Sequence, residues 1–514
     1  MKQKLACFAL TLVVLMTMLP ALAAAEDVPT ISVMLIDNGR SWDPTVSNNA
    51  AIQENLGVKL DVTIVDKDTM TLGFASGELA DIITLPELMY AEFVNTGYLL
   101  PLNDLLESNG QQLLDCTTDE AWSFTTIDGE IYAIPYENNN VKYFTYIRQD
   151  WLENIGFDLG KHELVEGSTD VYYITLDEYA EILKEFTYGD PDGNGKNDTF
   201  GLSTYAKSSN EISFMAVFGA FGGLMTQYYE IDGAVYPFEV TDAYRAALEW
   251  LHTQWEAGTI DPEIFILEQD QAYANMMNGR SGSMVGWWST GYEMIRDGMW
   301  DLQPEAQWCT VEIVGADGSV GMKDNGRVTS TISITTSCED PELAMDVLNY
   351  LSTDEGWWLI RYGVEGEHYT LDDDGYPTRT EAGTELFQGM VLDTLYTLTN
   401  RIEVENFANS APQKDVKMEI RRSMLVHQFL TEAPLYTDVF YGIAQTQEDM
   451  VFGVDVNNLI EMRGMQFITG EVELNDENWA AYIEQWKNMG GAEILSSYVE
   501  RCNELRDTEY VAGE

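Results

Sequence analysis

The first third of the chain alternates short apolar segments with longer polar ones. Residues 31–36 are a largely apolar run typical of a buried strand, and residues 81–85 form a similar run. Residues 46–55 lie before a third apolar segment and have the length of a helix. In that third segment apolar residues occupy every second position, which predicts a strand through Val58, Leu60, Val62 and Ile64. Strands separated by helices favour parallel pairing with crossover helices, so we expect an α/β fold.

Two later segments have apolar residues at helical spacing. One helix is predicted to begin at Thr241 or Asp242 and to end at Gly258, and another to begin at Pro341 and continue to Leu351. The chain has 514 residues, too many for a single core. It shows no internal repeat and no Pro-rich linker, so we expect two large domains joined by several chain crossings rather than by one tether.

Residues 1–25 have the pattern of a secretory signal peptide. The segment begins with Lys2 and Lys4, continues as an apolar run and ends in Ala23-Ala24-Ala25. The apolar run is shorter than the ~20 residues that a membrane-spanning helix needs. We predict cleavage after Ala25 or Ala23 and a mature protein outside the cytoplasm, in a periplasm or at a cell surface. No cysteine lies at the cleavage site, so the sequence offers no lipid-anchor position there.

The strong negative charge of the chain argues against two classes of partner. With 86 acidic and 27 basic residues, the formal net charge is −59, so the protein should repel nucleic acids and anionic membranes. Four cysteines follow the predicted signal: Cys116, Cys309, Cys338 and Cys502. Outside the cytoplasm an even number permits disulfides in any of three pairings, but four separate small apolar residues are an equal alternative.

The sequence lacks most of the motifs that are typical of catalytic sites. The four histidines (His162, His252, His368 and His427) are far apart, so each is expected to be structural. Residues 279–283 resemble a nucleophile elbow but lack its last glycine, and residues 189–197 have the wrong spacing for a phosphate loop. Among 86 acidic residues some carboxylate pair is always possible, but no spacing singles out a pair for glycoside hydrolysis. We therefore expect that the protein is not an enzyme.

One loop has the spacing of a calcium site. From Asp190 onward, oxygen-bearing side chains fall at relative positions 1, 3, 5 and 9, glycine falls at position 6, and Lys196 at position 7 would offer its carbonyl oxygen. This is the first part of an EF-hand-type loop, but position 12 is Gly201 instead of a bidentate Glu. We predict a structural calcium ion held by Asp190, Asp192, Asn194, Lys196 and Asp198. The alternative is an Asx-rich turn without metal.

Aromatic residues give a second signal. The chain has 13 Trp and 27 Tyr, and several lie in predicted loops. Sugars stack their C–H faces on aromatic rings and bond their hydroxyls to Asn, Asp, Glu and Arg, so this mixture is typical of carbohydrate pockets. Ordinary core packing is the alternative for any single tryptophan.

Four segments resemble extracellular solute-binding proteins, family 1, which serve carbohydrate ABC importers. Two are weak when taken alone: the strand entry Gly77–Ile83, and Gly129–Tyr136 followed by Tyr146–Leu152. The loop Asp190–Gly201 matches the family's D-P-D-G-N-G-K-x-D-T-x-G pattern closely, and Tyr362–Tyr369 looks like its Y-G-x-E-G-x-H-Y segment. The resemblance covers nearly the whole chain after the predicted signal.

The resemblance implies a two-lobed periplasmic-binding-protein-like α/β fold with a hinge and a ligand cleft between the lobes. Residues 26–141 with 289–350 would form the N-terminal lobe, and residues 142–288 with 351–514 the C-terminal lobe. Crossings would fall near 137–145, 286–292 and 349–356. By analogy with family members, the cleft would be lined by Asn38, Arg40, Trp42, Glu87, Tyr136, Asn138, Asn139, Trp287, Trp288 and Glu365.

The expected function is capture without chemistry. A monomeric receptor would close on a carbohydrate, with a neutral oligosaccharide favoured over a uronate polymer because the chain is so acidic, and deliver it to an ABC importer permease. A peptide or another solute remains possible. A secreted carbohydrate-active enzyme and a sensory sugar-binding module are the alternatives.

Overall fold

The structure is a computed structural model that describes part of the chain. That part comprises residues 28–37, 41–137, 143–287, 302–303, 306–323, 328–371, 377–387, 395 and 435–513, apart from residues 128, 167, 169–170, 208–209, 442, 444 and 507. The predicted signal peptide lies outside the described residues.

Strands and helices alternate through the first half of the chain, and helices dominate its end. The strands are β1 Thr30–Ile36, β2 Lys59–Val65, β3 Ile82–Pro86, β4 Thr126–Ile127, β5 Glu130–Ile131, β6 Ile134–Glu137, β7 Tyr143–Arg148, β8 Tyr172–Thr175, β9 Phe200–Leu202, β10 Tyr228–Ile231, β11 Ala234–Pro237, β12 Ser281–Trp287, β13 Trp308–Val314, β14 Met322–Lys323, β15 Val328–Ile334, β16 Tyr369–Leu371, β17 Pro377–Arg379 and β18 Leu435–Tyr436. The α-helices are Ser47–Leu56, Lys67–Ser76, Glu87–Phe93, Asn103–Asn109, Gln111–Cys116, Asp119–Thr125, Gln149–Ile155, Leu176–Tyr188, Asn210–Ser213, Met215–Ala220, Asp242–Glu256, Gln269–Met277, Pro341–Leu351, Asp354–Arg361, Glu381–Phe387, Gln447–Thr469, Asp476–Trp486 and Ala492–Arg506.

The first lobe is built on a five-stranded sheet in the order β2-β1-β3-β15-β6. Strands β1, β2 and β3 pair in parallel, with Val33 opposite both Val62 and Ile82. Strand β15 runs antiparallel to β3 and β6. Ile31, Val33 and Leu35 alternate into a core that also holds the helices Pro341–Leu351 and Asp354–Arg361. The three predicted strands, their parallel pairing and the helix after β1 are confirmed.

The second lobe has its own five-stranded sheet, in the order β8-β13-β7-β12-β9. Strand β7 is central and antiparallel to both β12 and β13. The core on this sheet includes Trp151, Phe186 and Tyr244, and it continues into the three C-terminal helices. The helix Asp242–Glu256 begins after Thr241, whose side chain accepts from the Tyr244 N–H, as the sequence predicts.

The chain passes between the two sheets more than once. It leaves the first sheet at Glu137 and enters the second at Tyr143, within the crossing predicted near 137–145. For the crossing predicted near 286–292, the strands on either side, β12 and β13, both belong to the second sheet. The crossing predicted near 349–356 is wrong, because the helices Pro341–Leu351 and Asp354–Arg361 on either side both lie in the first-lobe core.

Two segments consequently lie in the lobe opposite to the predicted one, which corrects the boundaries 289–350 and 351–514. Strand β13 pairs with β7 and β8 in the second lobe, although it lies within 289–350. Trp357, Tyr369 and Leu395 lie in the first-lobe core, although they follow residue 350. The chain returns to the first sheet between Lys323 and Val328, and it reaches the second lobe again by Leu435.

Two further sequence questions are answered within the described residues. None of the four cysteines forms a disulfide: Cys502 is buried, and Cys116, Cys309 and Cys338 are half-buried. The alternative of four separate cysteines therefore holds in this structure. Of the helices in the described ranges, none combines the length and the apolar character that a membrane crossing requires.

Candidate functional site

Strand register brings several side chains to one edge of the first sheet. Strand β3 ends at Pro86 opposite Ser330, and β6 ends at Glu137 opposite Val328, where β15 begins. Glu87 opens the helix that follows β3, and Tyr136 lies on β6; both side chains are half-buried. The carboxyl ends of such strands are where α/β sheets usually bind ligands.

The second sheet presents a matching edge. Tyr143 opens β7, and its backbone is paired with that of Trp287, the last residue of β12. Only residues 138–142 separate the end of β6 from the start of β7, so the two edges are joined by a chain segment that spans at most about 22 Å. The two edges are therefore close neighbours along the chain.

A phenol–carboxylate group at the second edge was not singled out from the sequence. Burial raises the pKa of Tyr143 to about 12, and the Glu211 carboxylate and Tyr205 add to that rise. Glu211 lies on the short helix Asn210–Ser213, which packs against β12. Tyr143 could have been proposed from the sequence, because it lies inside the predicted crossing 137–145. Glu211 could not, because nothing in its neighbouring sequence distinguishes it from the other acidic residues.

The other predicted cleft residues have mixed positions. Trp42 is half-buried against the first-lobe core. Glu365 is exposed, in a turn that bridges to Tyr369. The side chain next to it in that turn, Glu367, accepts from the Ser47 hydroxyl at 2.9 Å, so the turn lies beside the helix that follows β1. Five predicted residues lie outside the described part of the chain: Asn38, Arg40, Asn138, Asn139 and Trp288.

The predicted calcium loop connects the helix Leu176–Tyr188 to β9. The Asn194 side-chain amide donates to Asp192 Oδ2 at 2.7 Å and to Asp198 Oδ1 at 3.0 Å, so these two carboxylates converge. Asp190 accepts from the Gly195 N–H at 3.0 Å. Gly195 has a φ of 76°, a left-handed conformation that glycine adopts without strain and that the tight turn requires.

The chemistry of this loop suits a hard cation. The atoms that its predicted ligands would offer to a metal ion are all oxygens, the ligand type that calcium prefers. Burial raises the pKa of Asp192, and the nearby Asp190 and Asp198 carboxylates contribute to the rise. A bound cation would relieve that repulsion. In the arrangement shown, the described residues contain no cluster of three or more acidic, His or Cys side chains close enough to hold a metal ion.

Potential catalytic residues have structural partners. The hydroxyl of Ser281, within the segment that resembles a nucleophile elbow, is buried and bonds the carbonyl oxygens of Ser203 and Ser283. His162 lies 3.0 Å from Glu178, and His252 contacts the Ile468 carbonyl oxygen. His427 lies outside the described residues.

Two α/β lobes connected by several crossings define a two-lobed, periplasmic-binding-protein-like class of fold. Solved structures share this fold. FusA of Streptococcus pneumoniae in complex with kestose superposes with a TM-score of 0.60 at 19% identity, covering 93% of this chain and 100% of that chain. A human-milk-oligosaccharide (HMO) binding protein associated with an ABC transporter of Bifidobacterium longum infantis gives 0.63 at 16% identity, covering 93% and 99%.

Relatives by sequence match most of the chain. The chain is 23% identical to lipoprotein LipO of Bacillus subtilis over 464 residues, covering 87% of this chain and 86% of LipO. It is 22% identical to the polygalacturonan/rhamnogalacturonan-binding protein YtcQ of the same organism over 471 residues, covering 88% of each. No protein-family model matches. The predicted resemblance to extracellular solute-binding proteins of ABC transporters is confirmed.

A solved structure of this fold has an EF-hand. It is an EF-hand mutant of FusA of Streptococcus pneumoniae in complex with fructo-nystose, with a TM-score of 0.60 at 19% identity, covering 93% of this chain and 100% of that chain.

Proposed function

We propose that this protein captures an oligosaccharide between its lobes outside the cytoplasm and delivers it, uncleaved, to the permease of an ABC importer. The observation that carries the proposal is the pair of sheet edges joined by the short connection 138–142, with Glu87 and Tyr136 on one edge and Tyr143 and Glu211 on the other. Phenol rings can stack on sugar faces, and carboxylates accept hydrogen bonds from sugar hydroxyls. Contacts on both edges would favour lobe closure over the ligand.

A neutral saccharide fits this site better than a uronate. Glu87 and Glu211 place a carboxylate at each edge, and the chain carries a net charge of −59. A uronate would bring further negative charge into this field, which costs binding energy. Both chemistries occur among the relatives, because FusA is named for fructooligosaccharides and YtcQ for polygalacturonan and rhamnogalacturonan.

Calorimetric titration with neutral and uronate oligosaccharides tests the proposal. We expect micromolar or tighter binding of a neutral class, with the saccharide recovered intact by mass spectrometry. Tyr143→Phe and Glu211→Gln should each weaken binding by about threefold to tenfold, the worth of a hydrogen bond. Tyr188→Phe is the matched control, because its hydroxyl bonds the Ala257 carbonyl oxygen at 2.7 Å and lies at the far end of its helix.

Each other outcome has a distinct meaning. Cleaved saccharide would identify a carbohydrate-active enzyme. Tighter binding of uronates would overturn the neutral preference while leaving capture intact. Absence of binding to every saccharide would remove carbohydrate as the ligand. A monomer in light scattering, and a mature N-terminus near Glu26 on secretion, are the accompanying expectations for state and location.

We also propose that Asp190, Asp192, Asn194, Lys196 and Asp198 hold a calcium ion that stabilises the second lobe. The loop is tied to its neighbours on both sides, since Thr199 bonds the Phe186 carbonyl oxygen at 2.7 Å and Pro191 accepts from Asn154 at 2.8 Å. Calcium binding would therefore lower the freedom of β9 and its helix. The ion would have a structural role, away from the sugar.

Calcium titration followed by thermal unfolding tests this second proposal. Calcium at 100 times its dissociation constant should stabilise the folded state by about 2.7 kcal/mol. Asp192→Ala should remove the effect, whereas Asp317→Ala, in a turn where Asp317 accepts from Ser319 N–H at 2.9 Å, should keep it. Equal calcium responses in both variants would contradict the proposed ligand set.

A further inference from the structure

A tyrosine of the second lobe bonds the backbone of the first lobe. The Tyr441 hydroxyl donates to the Val328 carbonyl oxygen at 2.8 Å and accepts from the Val328 N–H at 3.0 Å. Val328 is the first residue of β15, directly after the chain returns from the second lobe. The contact therefore lies at a crossing, where any rotation of the lobes must be accommodated.

Val328 lies beyond the end of the pairing with β3. A side chain can therefore take the place of a β3 residue as its hydrogen-bond partner. The pairing between β3 and β15 ends at Ser330, two residues before it would reach Val328, because a helix begins at Glu87 directly after β3. Val328 is nevertheless buried, and buried backbone groups need hydrogen-bond partners. One hydroxyl acts as both donor and acceptor and supplies both partners.

The ring of Tyr441 makes a second contact with the first lobe. Its centroid lies 6.0 Å from that of Phe124, on the helix Asp119–Thr125, and Phe124 in turn lies 5.9 Å from Tyr90 in the first-lobe core. Two independent contacts, one polar and one aromatic, therefore fix the direction of the same side chain relative to the first lobe.

The backbone of Tyr441 is anchored in the second lobe. Arg506, on the C-terminal helix, donates to the carbonyl oxygens of Val439 and Tyr441. The Val439 N–H donates to the Tyr228 carbonyl oxygen at 3.0 Å, and Phe440 is buried in the second-lobe core. A displacement of the Tyr441 ring would therefore have to move the segment that the last helix holds.

We infer that Tyr441 is a positioning residue that sets the angle between the two lobes at this crossing. Its side chain bonds Val328, at the start of β15 in the first lobe, and its backbone is held within the second lobe. A fixed angle leaves fewer arrangements of the two sheet edges to be lost when a ligand is bound. Loss of the hydroxyl should lower the fraction of molecules that are competent to bind, and the apparent dissociation constant rises by that factor. The affinity part of this inference rests on the proposed function.

Tyr441→Phe tests the inference, because it keeps the ring against Phe124 and removes only the hydroxyl. The control is Tyr436→Phe: that tyrosine is also half-buried, but its hydroxyl bonds the Gly219 carbonyl oxygen at 2.9 Å within the second lobe. Small-angle X-ray scattering of the purified proteins without ligand reports the spread of lobe arrangements. Calorimetric titration with the saccharide bound by the wild type reports affinity.

We expect Tyr441→Phe to increase the radius of gyration and to weaken binding about fivefold, while Tyr436→Phe changes neither. Scattering from Tyr441→Phe that superposes on the wild-type curve overturns the inference, as does an equal increase in Tyr436→Phe. Circular dichroism excludes partial unfolding as the cause of any increase. If the wild type binds no saccharide, the proposed function fails, and the scattering comparison still decides the role of Tyr441.

Discussion

The first lobe buries mainly aliphatic side chains around its sheet, whereas the second lobe buries aromatic rings and charged groups. Among the largest fully buried side chains of the described residues, only Trp357 and Tyr90 belong to the first lobe. Four buried charged residues, Arg148, Glu239, Asp261 and Glu312, lie in second-lobe elements. The polar side chains buried in the described first lobe are Thr, Ser, Asn and His368.

This difference separates two ways of holding a lobe together. Aliphatic packing depends little on pH, and its loss costs free energy in proportion to the cavity left behind. Buried charged groups stabilise a lobe only while their partners and protonation states are kept. The second lobe should therefore be more sensitive to single substitutions and to pH than the first.

Truncation of two matched tryptophans should give the largest difference. Trp151 and Trp357 are both fully buried, and neither indole N–H has a hydrogen-bond partner. Trp357→Ala should cost about 3–5 kcal/mol of unfolding free energy. Trp151→Ala should cost about 1 kcal/mol more, because the Arg148 guanidinium lies 4.5 Å from the Trp151 ring. Urea unfolding followed by circular dichroism measures both, and a larger cost for Trp357→Ala would break the comparison.

Glu239 should make the second lobe less stable at higher pH. Burial raises its pKa to about 7, and the nearby Glu211 and Asp438 carboxylates add to the rise against the opposing hydrogen bond from the Thr226 N–H. Between its unfolded pKa near 4.5 and about 7, the folded state binds a proton that the unfolded state has released. Stability is thus fully present below this window and falls as pH rises through it, by up to about 3 kcal/mol.

Glu239→Gln tests this pH dependence, since the amide keeps an acceptor for Thr226 and does not titrate. The variant should be more stable than the wild type at pH 8 and comparable at pH 4.5 in urea unfolding. Glu365→Gln in the first lobe is the control, because Glu365 is exposed. Parallel pH profiles of wild type and Glu239→Gln would show that the carboxylate is ionised at no net cost.

A third comparison uses two aspartates that each bond a serine. Asp261 is fully buried and accepts from the Ser203 hydroxyl at 2.9 Å and from Arg280 at 3.3 Å. Asp81 is half-buried and accepts from the Ser32 N–H at 2.8 Å and from its hydroxyl at 2.6 Å. Asp261→Asn should cost about 2 kcal/mol and Asp81→Asn about 1 kcal/mol, because only the first removes the charge of a fully buried carboxylate that is paired with an arginine. Equal losses in urea unfolding would mean that burial of the charge makes no difference here.

Local features of this fold could be predicted from the sequence. Strand β1 was evident as a short, largely apolar run, strand β2 from its alternation, and the helix between them from its end at Gly57, which adopts a φ of 65°. The loop from Asp190 was evident from spacing. These signals depend on a few neighbouring residues, which is why the sequence contains them.

Lobe membership could not be predicted, because it depends on distant pairing. Nothing in Trp308–Val314 shows that it pairs with Thr145 and not with the first sheet. Glu211 becomes a candidate site residue only because its helix packs against β12, and Tyr441 becomes an inter-lobe residue only through Val328. Such contacts join residues far apart in the chain, and no local pattern encodes them.

The smallest predicted difference concerns two helix starts, one in each lobe. The Thr175 hydroxyl accepts from the Glu178 N–H at 3.2 Å, and the Glu178 carboxylate accepts from the Thr175 N–H at 2.8 Å, so the second-lobe helix has a reciprocal capping box. In the first lobe Thr353 makes only the first half of this pattern, by accepting from the Gly356 N–H at 3.2 Å.

Thr175→Ala should therefore destabilise by about 1 kcal/mol, and Thr353→Ala by about half as much. Thr175 loses more because its hydroxyl also holds Glu178, whose other carboxylate oxygen lies 3.0 Å from His162. Thr175→Ser keeps the capping oxygen and should restore most of the loss in urea unfolding. If serine fails to restore stability, the threonine methyl group and its packing, and not the cap, stabilise this helix start. The second lobe would then differ from the first by its buried aromatic rings and charges, and not by this cap.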